Sequence, residues 1–195
     1  MAEWLCLTEL RRQLGRAASG FALASAGTHA LVDEPMDPYA VRALAELGVT
    51  AAGSFGRQLD AGAVDRADVV LCATRAHRSE VLVEQPRALR RTFTLREFHR
   101  ATAGLDPAEL DGSDAQAAMR SLVEQAAARR GWTAAGPRTD DDLGDPYGAR
   151  LEAFRVCASL THEALAGPIA LIAAAIGRDR RTGEDAGPAT RADGG

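Results

Sequence analysis

Apolar side chains recur at helical and strand spacing along most of this chain, and they predict an alternation of helices with short strands. The first helix is predicted over Met1–Leu14, where apolar residues recur every three or four positions up to Gly15. A mostly apolar run over Ala67–Thr74 has the pattern of a strand that is covered on both faces. The alternation predicts an α/β fold with a short, mostly parallel sheet and flanking helices.

Two further strands and several helices complete the predicted order of elements. The strands cover Phe21–Ala26 and Arg91–Leu95, so three strands are predicted in all, which is few for such a sheet. Gly167-Pro168 is predicted to break or kink the last helix, because proline removes a backbone donor and clashes with the preceding turn. The other helices are predicted over residues 38–47, 75–85 and 114–130, and the last one follows residue 146.

Length and composition predict one domain followed by a tail. The 195 residues are 46% hydrophobic and 26% charged, which is ordinary for a globular protein with a sizeable core. The domain is predicted over residues 1–176, and residues 177–195 have the Gly-, Pro- and Asp-containing composition of a disordered tail.

Charge and cysteine content narrow the function classes. The net charge of −4 does not favour a general nucleic-acid or anionic-membrane binder, and no run reaches the roughly 20 apolar residues of a membrane span. Cys6, Cys72 and Cys157 are scattered and lack CxxC spacing, which argues against a disulfide framework or a zinc site. We therefore expect a cytoplasmic protein with no metal or other cofactor, and neither nucleic acid nor membrane among its partners.

Residues 140–148 carry four carboxylates immediately before the longest helical pattern. Asp145 is suited to cap that helix, and Pro146 to occupy its first turn. The second interpretation is that Asp145 is a general acid beside Tyr147. Local physics favours the capping role, and the residues of this stretch do not by themselves decide between the two.

Several segments, taken in order, resemble the low-molecular-weight protein tyrosine phosphatases. Each segment is weakly specific, but their joint order and spacing make the resemblance fairly specific over roughly residues 1–165, apart from an enlargement around 104–135. The matching segments are Ala24-Ser-Ala-Gly-Thr28, Glu34-Pro-Met-Asp-Pro38, Ala43-Leu-Ala-Glu-Leu-Gly-Val49, Gly56-Arg-Gln-Leu59, Ala67-Asp-Val-Val-Leu71, Ala76-His-Arg78 and Gly144-Asp-Pro-Tyr-Gly148.

The resemblance implies a three-layer fold and a defined chemistry. In this family a Cys-x5-Arg-Ser-Pro loop after the first strand cradles a phosphoryl group at a helix N-terminus and supplies a thiolate nucleophile. An aspartic acid on a distant Asp-Pro loop protonates the leaving tyrosine oxygen. Asp145 matches that general acid, and Tyr147 matches an aromatic residue that flanks the substrate ring. The implied substrate is a phosphotyrosine-containing protein.

The phosphate loop of the family is missing from these 195 residues. Family members commonly continue from that loop as Ser-Pro-Met-Ala-Glu, and this sequence begins Met1-Ala2-Glu3. We therefore expect that the first strand and the nucleophile loop have been truncated and that the chain is inactive as given. Arg12 follows Cys6 at the right spacing, but the residues between them have a helical period and contain no glycine. Ser25 is a candidate for bracing the absent loop.

Two alternatives to a phosphatase remain open at this stage. The first is a phosphatase-like protein that has lost catalysis and retains a binding role. Its sheet would lack an internal strand, so we expect a poorly soluble or partly molten chain. The second is a redox enzyme similar to the arsenate reductases that share this architecture. Such an enzyme needs mobile cysteines that resolve a disulfide, whereas Cys6, Cys72 and Cys157 lie in helix and strand patterns.

Overall fold

The computed structural model describes residues 1–51, 53–130 and 141–185. These residues form helices packed around a short sheet, with short 3₁₀ helices at Gly15–Gly20, Pro86–Arg91 and Pro107–Glu109. The helices and strands, in chain order, are α1 (Ala2–Leu14), α2 (Pro38–Glu46), α3 (Ala61–Arg66), β1 (Val70–Cys72), α4 (Arg75–Glu84), β2 (Thr92–Thr94), α5 (Leu95–Thr102), α6 (Ala115–Arg129) and α7 (Leu151–Asp185).

The sheet of the described residues is a parallel pair. β1 and β2 are in register from the Val70–Thr92 pair to the Cys72–Thr94 pair, and α4 crosses from the end of one strand toward the start of the other. Helices precede, connect and follow the two strands, and α5 and α6 pack on each other and on α7. The predicted α/β class with a short parallel sheet is confirmed.

The strand predicted over Phe21–Ala26 does not form, so this prediction is wrong. The segment leaves the preceding 3₁₀ helix in an extended conformation, and the first pairing after it is an isolated bridge between Gly27 and Gln58. In that bridge Gly27 N donates to Arg57 O at 2.9 Å. An apolar pattern alone does not make a strand, because the backbone groups also need a ladder partner. Among the described residues this segment has none.

Helix α7 continues through Gly167-Pro168, so of the predicted break or kink the break is wrong, and the kink stays a prediction. The side chains on both sides of Pro168 are buried, including Leu165 and Ile169, and their packing offsets the roughly 3 kcal/mol that proline costs in a helix. Gly167 has a packing role, because a Cβ atom there would lie 3.3 Å from the ring of His99 on α5.

The same helix also changes two other expectations. Because α7 extends to Asp185, the first nine residues of the predicted tail are helical, and residues 186–195 lie outside the described ranges. Within the described ranges, Leu151–Asp179 is long and apolar enough to cross a membrane, contrary to the expectation that no segment reaches that length. We interpret it as a core helix, because it packs against α1, α2, α5 and α6.

Two large apolar clusters hold the described residues together. The first surrounds Phe93 of β2 and includes Leu122 of α6 and Ile172 of α7. The stretch expected to be an enlargement thus contributes a core helix, α6. The second cluster joins α1, α2 and α7, and it also contains Leu143, which brings the acidic stretch to the centre of the fold.

Candidate active site

Residues 141–149, here named the acid loop, are tied to two helices that precede them by many residues in sequence. Asp141 forms a bidentate ion pair with Arg100 of α5, in which Nη2 lies 3.2 Å from Oδ2. Both side chains are largely buried. A bidentate guanidinium–carboxylate pair fixes orientation as well as distance. Asp141 therefore has a structural partner, while Asp140 lies outside the described residues.

The next two residues attach the loop to the carboxyl end of β1. Asp142 Oδ1 accepts a 2.7 Å hydrogen bond from the backbone N–H of Arg75, the first residue of α4. Leu143 N donates to Ala73 O at 2.9 Å, and the Leu143 side chain is buried. The carboxyl ends of parallel strands are the edge at which α/β proteins bind ligands. The acid loop is therefore fixed at the edge where a site is expected.

Asp145 lies beyond these attachments and is exposed. Its Oδ1 accepts a 3.0 Å hydrogen bond from Tyr147 N, and Ala149 N donates to Pro146 O at 2.9 Å. A turn thus separates Asp145 from α7, which begins at Leu151. The prediction that Asp145 caps the last helix is wrong, because its side chain closes a local Asx turn instead.

Tyr147 extends from the same turn and is 68% exposed. A large aromatic side chain left this open has little to stabilise it within the chain, and its ring is available to contact a ligand. The structure therefore places Asp145 and Tyr147 two residues apart on one exposed turn. The roles assigned to them from the family resemblance remain predictions.

An open depression of about 320 Å³ lies between the acid loop and the first turns of α7. Asp145 and Leu143 line it on the loop side, and Val156, Cys157 and Leu160 line it on the helix side. Its walls are mainly apolar. The depression is thus an open, mainly apolar surface that is also lined by two carboxylate residues, Asp145 and Glu152.

The start of α1 is close to this depression. Burial lowers the pKa of the Met1 amino group, and the nearby Cys157 thiol opposes that change. Burial raises the pKa of Cys157, and Asp145 adds to this effect, whereas Thr161 and the Met1 amino group oppose it. Met1 also packs against the apolar cluster that contains Phe154 and Ala158 of α7, so the start of α1 lies against the first turns of that helix.

All three thiols are poor nucleophiles in this fold. Burial raises the pKa of Cys6 to about 11 and that of Cys72 to about 11, and it also raises the pKa of Cys157. A thiol must ionise to attack phosphorus or to exchange disulfides. Burial therefore disfavours the thiolate form of each of these three cysteines.

A cluster of polar residues at the first turn of α1 was only partly anticipated. Glu3 accepts hydrogen bonds from Ser25 Oγ and from Arg57, whose Nη2 lies 3.1 Å from Glu3 Oε2. Ser25 therefore braces the start of α1, and its role toward a phosphate loop stays a prediction. The sequence analysis gave Arg57 no role of its own. The sequence signal for its contact with Glu3 is that Glu3 is an acidic residue in the first turn of a helix that lacks a side-chain cap. No metal-binding group of three or more His, Cys, Asp or Glu residues occurs in the described ranges.

The architecture corresponds to a class of phosphatases of known structure. The Wzb tyrosine phosphatase of Escherichia coli K30 superposes with a TM-score of 0.54 at 20% identity, covering 84% of each chain. The YwlE arginine phosphatase of Geobacillus stearothermophilus superposes with a TM-score of 0.54 at 21% identity, covering 97% of this chain and 91% of that one. At these identities the similarity defines the fold alone.

Sequence comparison then identifies the family. The family model described as low molecular weight phosphotyrosine protein phosphatase matches residues 1–129, and the chain belongs to this family. A protein of Ralstonia solanacearum, described as probable low molecular weight protein-tyrosine-phosphatase EpsP, is 32% identical over 95 residues. That match covers 48% of this chain and 66% of the relative, slightly less than two thirds of its length. Asp145 and Tyr147 lie beyond the residues that the family model matches.

Proposed function

We propose that this chain carries the acid half of a protein tyrosine phosphatase site, with Asp145 as the general acid. The observation that carries the proposal is the position of Asp145, which is exposed on a loop tied to the carboxyl end of β1. Met1 packs against the start of α7, and Asp145 lines the depression beside the same part of that helix. The proposed acid needs a thiolate and a phosphate-binding arginine as partners, and these 195 residues contain no Cys-x5-Arg-Ser-Pro motif that could supply them.

The proposed reaction has two steps. A cysteine thiolate attacks phosphorus, the bond from phosphorus to the tyrosine oxygen breaks, and the Asp145 carboxyl gives its proton to the leaving oxygen. Water then attacks the cysteinyl phosphate, Asp145 takes one proton from that water, and phosphate leaves as the thiolate is restored. Both steps place Asp145 beside the transferred group, so an exposed carboxylate that is not used in a cap or an ion pair suits this role.

Tyr147 supports an aromatic substrate, because its exposed ring lies on the same turn as the proposed acid. Aromatic rings pack favourably against one another, which favours phosphotyrosine over a small phosphate monoester. We also propose a cytoplasmic location, because all three cysteines are free thiols and a thiolate nucleophile needs a reducing compartment.

The 195 residues alone are proposed to be inactive. They contain no Cys-x5-Arg-Ser-Pro motif, and burial disfavours ionisation of each of their thiols. The same raised pKa values argue against a redox enzyme, which would need a thiolate for disulfide exchange.

The test compares this chain with the longest in-frame chain that contains it. The upstream codons are translated, the longer chain is expressed, and both forms are assayed with phenyl phosphate, a phosphotyrosine peptide and phosphoarginine. We expect the longer chain to hydrolyse the two aryl phosphates, the short chain to be inactive, and Asp145→Asn to lower kcat for phenyl phosphate by about 100-fold or more. An in-frame stop directly before Met1, or equal rates from both chains, would refute the proposal. Hydrolysis of phosphoarginine alone would refute the substrate class.

A further inference from the structure

We infer that Asp142 is a positioning residue that sets the location of Asp145 by tying the acid loop to the start of α4. The inference rests on the proposed function, since it concerns how the proposed acid is held. Asp142 is three residues from Asp145, and its Oδ1 accepts the Arg75 N–H at 2.7 Å. The Arg75 Nε atom lies 3.5 Å from the same oxygen in an ion pair without a hydrogen bond, so one backbone hydrogen bond and one charge contact hold the loop.

The bond from Arg75 to Asp142 holds the loop more than it holds the helix. α4 already has a cap of its own, because Thr74 Oγ1 accepts from His77 N at 3.1 Å. The Arg75 N–H is a different first-turn donor, and the carboxylate that accepts it comes from 67 residues further along the chain. A negative charge is also favoured at a helix N-terminus. Removing Asp142 should therefore leave α4 capped and release the acid loop.

The loop has little else to hold it near Asp145. Gly144 is exposed, and a Cβ atom built on it would meet no atom within 4 Å. On the side that precedes Gly144, the tethers are the Asp141–Arg100 ion pair, the Asp142 bond and the bond from Leu143 N to Ala73 O. On the other side, the turn at Tyr147 leads directly into α7. The position of Asp145 thus depends on the three adjacent residues 141–143. Of these, Asp142 is bonded to Arg75, the first residue of α4.

The test uses the longest in-frame chain that contains residues 1–195, with variants Asp142→Ala and Asp142→Asn. Asp114→Ala is the matched control, because Asp114 caps α6 through a hydrogen bond of nearly equal length, 2.8 Å to Ala117 N, and does not contact the acid loop. The readout that needs no activity is hydrogen exchange at the Leu143 amide. Asp142→Ala should speed that exchange by about tenfold or more, Asp142→Asn should do so less because it keeps an acceptor, and Asp114→Ala should not.

The second readout is the dependence of kcat on the leaving group, using aryl phosphates whose phenols range from strongly to weakly acidic. Loss of a general acid slows the weakly acidic phenols most. Asp142→Ala should therefore lower kcat for phenyl phosphate by about tenfold, whereas kcat for a dinitrophenyl phosphate should change little. In the Asp145→Asn background it should have no further effect, because the group it positions is gone.

The outcomes separate the two proposals. If Asp145→Asn shows no leaving-group dependence, the general-acid role fails, and Leu143 exchange alone then decides whether Asp142 holds the loop. If Asp145→Asn shows that dependence but Asp142→Ala slows all substrates equally, or matches Asp114→Ala, the positioning inference is overturned. An unprotected Leu143 amide in the parent chain would overturn it as well.

Discussion

Glu9 offers the most direct test of how the chain is held together, because it is a carboxylate buried between α1 and α7. It is 2% exposed, and Arg12 donates to it from Nε at 2.9 Å and from Nη2 at 2.5 Å. Gln13 also donates to it, and His162 Nε2 of α7 lies 3.5 Å away. The Arg12 hydrogen bonds lower the pKa of Glu9 to about 2, although burial acts in the opposite direction.

The size of the effect follows from the difference between the folded and unfolded pKa of Glu9. A pKa of about 2 against an ordinary 4.5 corresponds to at most about 3 kcal/mol of stability at neutral pH. Arg12 is 67% exposed, so solvent screens the interaction and about 1–2 kcal/mol is a better expectation. A depressed carboxylate pKa stabilises the fold above the unfolded pKa. The contribution should thus be complete above about pH 5 and be lost as the pH falls toward 2.

The assay is urea unfolding of Glu9→Gln, on the longest in-frame chain that contains these residues. Its matched control is Glu152→Gln, because Glu152 precedes Arg155 by the same three positions and their ion pair is exposed at the surface. We expect Glu9→Gln to lower the free energy of unfolding by about 1–2 kcal/mol at pH 7 and by progressively less toward pH 3. Glu152→Gln should leave the urea midpoint unchanged within error. Equal losses from the two variants, or a Glu9→Gln deficit that does not shrink in acid, would refute the reasoning.

Three further predictions concern the sheet, a loop contact and the thiols. The 195-residue chain should melt broadly and give poorly dispersed NMR signals, because β1 has one strand neighbour among the described residues; a sharp cooperative melt would contradict this. Gly56→Ala should cost about 2–3 kcal/mol in urea unfolding, since its Cβ would lie 1.9 Å from Leu31 O, whereas Gly144→Ala should be nearly neutral. Iodoacetamide should alkylate native Cys6 and Cys72 about 100-fold more slowly than the unfolded chain at pH 8, and rapid labelling of either would show that its pKa is not raised.

The parts of the fold that follow from local sequence were predictable. Apolar spacing predicted both ends of α1 to within one residue. Asp37 and Pro38 start α2, and Asp37 Oδ1 accepts a hydrogen bond from Tyr39 N at 2.7 Å. The strand predicted over residues 91–95 forms as Thr92–Thr94. Each of these elements is specified by its own side chains or by a cap within three residues.

The errors arose where distant parts of the chain decide the outcome. Phe21–Ala26 has the apolar content of a strand, but pairing depends on a neighbour that the segment itself does not specify. Pro168 predicts a break, yet packing on both sides of it keeps α7 continuous. Glu9 and His162 are 153 residues apart, so a period-based analysis of α1 could not pair them. Tertiary packing overrides local preference at each of these positions.

The candidate site shows the same division between local and distant information. The sequence singles out Asp145 among the aspartates of the acidic stretch, through the proline that follows it and the family resemblance, but it gives no partners for Asp141 and Asp142. In the structure Asp141 pairs with Arg100 and Asp142 with the start of α4, partners that lie 41 and 67 residues away. Asp145 makes one local bond and remains exposed. The structure therefore adds that both neighbouring aspartates have distant partners, whereas the bond given for Asp145 is local.

This assignment of partners also removes the competing explanation for Asp145. A helix cap would account for an aspartate before a proline without any chemistry, and local physics favoured that role. The turn at Tyr147 and the start of α7 at Leu151 exclude it, because the side chain is used in the turn and not at the helix. Under the proposed function, an exposed carboxylate on a loop tied to the carboxyl end of a parallel strand is left available to a ligand. The proposed leaving-group acid is the role that uses all of these features.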